Sequence, residues 1–289
     1  MANRVFWKLI LMRSLFQILV LALALCTAKP MPGQLPFYTD DPAVTEAGKW
    51  HFEFFNEFDK LQHPQFPNLK QNTANYKLNY GLPHNLEIDV DAPYLAIYRA
   101  LQTPGSIGTG DMNLGLKWEF HKEKPGQRMP ALGVSFYTEF PTGDASQQLG
   151  SGLTDYWLNF IGQKSLSPKT RLNANAGYLF AGNTSTGVLG ITTVRGHVFA
   201  GGVSLLHDYT ERLTLGAELY GGIASTGDLG RSQFQLLLGG IYGIRNGLAF
   251  SFGVLGGRFI ASPLVGAQIG FAVDFPDVVR RAPSPSTFH

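Results

Sequence analysis

The sequence predicts an all-β fold, an up-and-down, antiparallel transmembrane β-barrel of about 12 strands. Three observations carry this expectation. Polar and apolar residues alternate with a period of two, an export-signal pattern precedes them, and the connections between strands alternate between longer and shorter. In 111–120 the odd positions read Asp111, Asn113, Gly115, Lys117 and Glu119, and the even ones Met112, Leu114, Leu116, Trp118 and Phe120. Successive side chains of a strand point to opposite faces, so this segment has one oily face and one charged face. Repeated down an exported chain, that pattern fits a barrel with lipid outside and water inside.

Residues 1–28 carry Arg4, Lys8 and Arg13, then the apolar run 15–25, then Cys26-Thr27-Ala28. A charged start, a short apolar core and small residues at a cleavage site make up a secretory signal. The apolar run is too short for a membrane helix, which needs roughly 20 residues. Cys26 is the single cysteine. Bulky Leu25 before it argues against lipid attachment, and cleavage after Ala28 would leave no disulfide, thiol nucleophile or cysteine metal site. The chain has 23 Lys+Arg and 21 Asp+Glu, and the signal removes three cations and no acids, leaving a net charge of −1. The alkaline isoelectric point therefore gives no reason to expect nucleic acid as a partner.

Twelve strands follow in order, at 49–58, 73–80, 86–94, 111–120, 131–140, 155–164, 171–180, 196–206, 213–221, 232–242, 248–256 and 265–275. In the first seven, polar residues of one parity face aromatic or aliphatic residues of the other. Examples are Tyr76 and Tyr80 around Lys77, Phe136 and Phe140 around Glu139, and Tyr156 and Phe160 around Asn159. Such aromatics near strand ends fit belts at membrane–water boundaries. The later strands are richer in glycine and amides, with Asn173, Asn175, Gln233, Gln235 and Gln268 on the polar side. In the last, Gln268 to Phe275 resembles the closing-strand signal of outer-membrane proteins, which implies the barrel-assembly machinery as a partner alongside outer-membrane lipid. A Pro/Ser/Arg-rich tail, 276–289, follows it.

The odd-numbered connections are 59–72, 95–110, 141–154, 181–195, 222–231 and 257–264, and the even-numbered ones 81–85, 121–130, 165–170, 207–212 and 243–247. The odd set is mostly longer. Outer-membrane barrels place short turns in the periplasm and longer loops outside, so 59–72, 141–154 and 181–195 are expected at the surface. A soluble sandwich has no reason to alternate in this way. Segment 29–48 then starts in the periplasm. Pro30, Pro32, Pro36 and Pro42 keep it from joining the sheet as an ordinary strand. Chain termini are poorly ordered unless tied down, so a disordered tail is the first expectation; the alternative, suggested by an apolar Phe37-Tyr38 pair, is a partial plug in the lumen with Asp40 and Asp41 held by Lys77, Lys117 or Arg171.

If the oily face meets lipid, the other face lines the pore. The pore-lining candidates are Glu53, Glu57, Lys77, Asn79, Glu87, Asp89, Asp91, Asp111, Asn113, Lys117, Glu119, Glu139 and Glu218. Charged groups face hydrocarbon only at high cost, so they belong in a hydrated interior. Most acids fall on the first five strands, which favours cations or neutral solutes over anions. The alternative is a salt-bridged interior that conducts nothing, as in smaller barrels filled by side chains. No catalytic residue, metal site or cofactor is expected. The seven histidines fall mostly in turns and no pair shows metal-ligand spacing on one face. Thr-Gly-Asp recurs at 109–111, 142–144 and 226–228, beside long connections. Ordinary turn chemistry explains it better than calcium binding.

Several short motifs point the same way. They are Phe37-Tyr38-Thr39-Asp40-Asp41-Pro42 with Thr45-Glu46, Gly108-Thr109-Gly110-Asp111 leading into a strand, and 130–144 ending in Phe-Pro-Thr-Gly-Asp. Gly150-Ser151-Gly152 before Asp155-Tyr156, and Phe180-Ala181-Gly182-Asn183, complete the set. In these the chain resembles the outer-membrane family named for the meta pathway of phenol degradation, departing from it at Asp41, where an arginine is common. The resemblance implies a Gram-negative outer-membrane barrel that admits small aromatic or hydrophobic compounds. The expectation is a passive channel or transporter for such solutes, with a non-conducting structural or adhesive barrel acting through its external loops as the alternative. Oligomeric state and the solute's identity are left open.

Overall fold

The computed structural model describes residues 35–62, 70–98, 104–181, 196–224, 233–259 and 261–275. The expected signal, residues 29–34, most of the connection 181–195 and the tail 276–289 lie outside the described residues. The strands are β1 (Trp50–Lys60), β2 (Lys70–Leu82), β3 (Leu86–Ile97), β4 (Ser106–Thr109), β5 (Met112–His121), β6 (Ala131–Phe140) and β7 (Asp155–Ser167). They continue with β8 (Thr170–Ala181), β9 (Gly196–Asp208), β10 (Leu213–Ala224), β11 (Gln233–Arg245), β12 (Leu248–Arg258) and β13 (Val265–Asp274).

Neighbours in sequence pair antiparallel, and β13 returns to β1 with Phe54 opposite Phe271, so the sheet closes on itself. Both β4 and β5 pair with β3, through Tyr94 opposite Thr109 and Asp91 opposite Asn113. They are two halves of one crossing interrupted at Gly110-Asp111. The molecule is thus a closed, antiparallel barrel of 12 crossings, in which closure removes the open edges of a flat sheet.

The faces are inverted relative to a soluble protein. On β5, Leu114, Leu116, Trp118 and Phe120 are 45–46% exposed, whereas Lys117 and Glu119 are 4% and 7% exposed. Apolar side chains cover the outside and polar ones the inside, as a hydrocarbon surround requires. Outward aromatics pair near both rims: Trp50 lies 4.5 Å from Tyr80 and Phe58 6.0 Å from Tyr98, centroid to centroid.

Several strands run further than the period-two signal indicates. β2 begins at Lys70 and β3 ends at Ile97, with Lys60 opposite Lys70 and Gln71 opposite Ile97. The cause is visible in Lys70-Gln71-Asn72, where the apolar half of the alternation has stopped but the backbone ladder has not. The expected connection 95–110 is shortened because 94–97 and 106–109 pair with each other. At one rim the connections are 83–85, 122–130, 168–169, 209–212 and 246–247, and at the other they are mostly longer.

Candidate functional site: the lumen and its internal segment

Residues 35–48 run into the barrel from the short-turn rim. At that rim Gly48 N donates to Gly81 O at 2.8 Å, and Ala47 forms an isolated bridge to Gly81. A Cβ at Gly81 would lie 2.1 Å from Glu46 O, so only glycine allows this approach. Deeper in, side chains of the wall hold the segment in place of ladder bonds. Thr45 N donates to Glu87 Oε2 at 2.6 Å, and Lys117 Nζ donates to Asp40 Oδ1 at 2.7 Å. Glu218 accepts from two successive amides, Tyr38 N at 3.1 Å and Thr39 N at 2.5 Å. The Tyr38 hydroxyl donates to Glu57. Phe37 packs with Leu206, Leu237 and Leu255. Pro36 and Pro42, without N–H groups, sit where the chain crosses the lumen and needs no strand partner.

Burial pushes the Asp40 carboxyl above its ordinary value, and the ammonium groups of Lys117 and Lys77 oppose that shift. The Tyr38 hydroxyl is held well above its ordinary value by burial and by Glu57, so it remains a donor. Asp41 bonds locally, accepting from Ala43 N at 2.8 Å. Arg171 has its own ion-pair partner, Asp208, at 2.9 Å. Of the cations expected to hold the segment's acids, the ion pair goes to Lys117.

The candidates read from sequence separate into three groups. Glu53, Glu57, Lys77, Asp91, Asp111, Asn113 and Glu139 line a cavity of about 330 Å³ between the internal segment and the long-loop rim. Glu87, Lys117 and Glu218 sit against the internal segment and are occupied by it. Asn79, Asp89 and Glu119 are buried outside the cavity lining. Asp89 there accepts from Tyr137 Oη at 2.8 Å, while Glu119 pairs with Lys122 at 3.3 Å.

Asp111 has a further task. It accepts from Gly143 N at 2.9 Å and Ser151 N at 2.6 Å, and Thr142 Oγ1 donates to Gly110 O at 2.9 Å. The first two Thr-Gly-Asp turns are therefore tied to one another. They draw 149–151 inward, where Leu149 packs on Leu95 and Ile97. This corrects the expectation that 141–154 is a surface loop throughout. Ala145, Ser146 and Gln147 are exposed, but Leu149 and Ser151 are only 3% and 1% exposed. Leu149 is apolar and Asp111 offers two acceptors, so the inturned stretch buries one and satisfies the other.

Sequence reasoning missed the aromatic residues of the cavity, namely Phe55, Tyr137, Trp157 and Tyr220. Their parity could have found them, since each shares the polar face with Glu53, Glu139, Asn159 or Glu218 respectively. Among the described residues no group of three or more His, Cys, Asp or Glu is arranged to hold a metal ion. His51, for example, sits between Asp274 at 2.5 Å and Glu53 at 3.2 Å.

No family model matches the chain, and no curated protein matches its sequence. Solved structures do resemble it. An outer membrane channel from Pseudomonas putida F1 aligns over 86% of this chain and 100% of its own, with a TM-score of 0.66 and 11% identity. The KdgM porin aligns over 78% of this chain and 99% of its own, and the NanC porin over 78% and 100%, each with a TM-score of 0.52 and 8% identity. At these identities the likeness is one of fold, a closed membrane-barrel architecture.

Proposed function

We propose that the protein is an outer-membrane channel that passes small aromatic or otherwise hydrophobic solutes without energy or cofactor, with 35–48 as an internal constriction. The observation that carries this reading is the 330 Å³ cavity left beside a segment that side chains, not ladder bonds, hold in the lumen. An interior built only for rigidity would have no use for a space walled by Phe55, Tyr137 and Trp157. The apolar outer face, the names of the structural neighbours and the resemblance to the meta-pathway family support the same reading. In this reading residues 1–28 are removed on export, and the short turns face the periplasm with the longer connections outside. β13 carries the assembly signal, and membrane lipid surrounds the barrel.

Planar-bilayer recording tests the proposal. The protein with an intact signal and residues 30–48 deleted should conduct more than the full chain. Unchanged conductance in a correctly inserted deletion would remove the constriction. Absence of current from both would replace the channel with a non-conducting barrel that works through its external loops.

A further inference from the structure

The cavity carries a charge imbalance that passage of neutral solutes does not require. Glu53, Glu57, Asp91, Asp111, Glu139 and Asp155 line it in addition to Asp40, and Lys77 is the single basic side chain among its described lining residues. Two of the acids, Glu139 and Asp155, are directly opposite each other on the β6–β7 ladder. Two carboxylates in that relation draw positive charge toward the cavity.

The next inward pair on the same ladder is aromatic. Tyr137 stands opposite Trp157, with ring centroids 6.4 Å apart. Tyr38 and Tyr220, also in the lining, form a second pair at 5.7 Å. On the same face of β6 as Tyr137, Ser135, 1% exposed and part of the lining, has a hydroxyl oxygen without a hydrogen-bond partner. A carboxylate pair beside aromatic faces is the surround that a cation with a flat apolar body needs, since the ring faces attract positive charge as the carboxylates do. A bare metal ion fits less well, because the described acids form no metal-binding cluster. At about 330 Å³ the cavity stands at the lower end of the roughly 300–1,000 Å³ of small-molecule sites.

We propose that this cavity binds small organic cations, a protonated amine joined to a single aromatic ring, with Glu139 and Asp155 taking the ammonium and Tyr137 and Trp157 the ring. The inference rests on the lumen being a solute path, and it narrows the solute from aromatic to cationic aromatic.

Titration calorimetry on the full-length protein in detergent tests it with three ring-matched probes: tyramine, its neutral alcohol analogue tyrosol, and 4-hydroxyphenylacetate. Tyramine should bind at least tenfold more tightly than tyrosol at low salt, and the anion should not bind measurably. The Glu139→Gln/Asp155→Asn variant should lose the preference for tyramine, and Trp157→Leu should weaken tyramine and tyrosol together. Equal binding of tyramine and tyrosol to the unmodified protein overturns the inference with no variant needed. A preference that survives Glu139→Gln/Asp155→Asn overturns the assignment of the two carboxylates. Because binding in detergent needs no conduction, a preserved preference without current would refute the channel and leave the site. Current without a preference would do the reverse.

Discussion

Replacing Lys117 by methionine should loosen the internal segment. The Lys117–Asp40 pair is 2.7 Å long, and the two side chains are only 4% and 11% exposed, so little solvent screens it. Removing one partner of a buried pair costs about 3–5 kcal/mol, because the other charge stays buried without compensation. At about 1.4 kcal/mol per tenfold, the equilibrium for leaving the seat should shift by on the order of 10²–10³-fold. A cysteine at Thr39, a position 1% exposed, reports this directly through its rate of reaction with a maleimide. Asp40→Asn in the Lys117→Met background removes the stranded charge, and labelling should return to within about tenfold of the parent rate. Two results would refute the reasoning: Lys117→Met labelling as slowly as the parent, or the single and double variants labelling equally fast.

Gly202→Ala would place a Cβ 2.6 Å from Thr39 Oγ1 and 2.8 Å from Tyr220 Cδ2, so it should displace the segment and raise single-channel current toward that of the 30–48 deletion. Leu116→Arg should cost about 2–4 kcal/mol in an unfolding titration in lipid. Lys117→Leu, one residue along but inside, should leave membrane insertion largely intact, and equal effects on insertion would contradict the face assignment. At the short-turn rim, Glu123 is held below its ordinary value: slight burial raises it, but hydrogen bonds from Lys164 and Ser165 outweigh this. A lowered carboxylate contributes stability that is present above its unfolded value of 4.5 and is lost as pH falls through the lower folded value. Glu123→Gln should therefore flatten the acid limb of a thermal-melt series taken from pH 6 downward.

The barrel was legible in the sequence because a membrane strand writes its environment twice, once on each face. Leu116 and Lys117 differ by one position and by an entire solvent. The rims were less legible. Where β2 begins at Lys70-Gln71-Asn72, the backbone ladder continues without the apolar alternation that would mark it in the sequence. The internal segment lay between these cases. Its prolines excluded a strand and Phe37-Tyr38 argued for burial, but nothing local in Glu218 says that it will cap two amides 179 and 180 residues away. The same holds for Asp111, which reads as a wall acid by parity and proves to be the clasp of an inturned loop.

The placement of the segment also bears on selectivity. Phe37 is fixed to the β9, β11 and β12 wall, where Leu206, Leu237 and Leu255 receive it, and Glu218 on β10 clamps the next two amides. Asp40 and Thr45 are then held by Lys117 on β5 and Glu87 on β3. The segment thus spans the lumen and fills its β9–β13 side, leaving open mainly the space lined by β1–β3 and β5–β7. That is the side on which Asp91, Glu139 and Asp155 lie. A constriction built in this way narrows the path and forces solutes against the carboxylates, so size and charge are selected by one element. Deleting 30–48 should therefore lower the cation-to-anion permeability ratio while it raises conductance, measurable as a reversal-potential shift in a salt gradient. A plug that merely blocked a uniformly lined tube would raise conductance and leave that ratio unchanged.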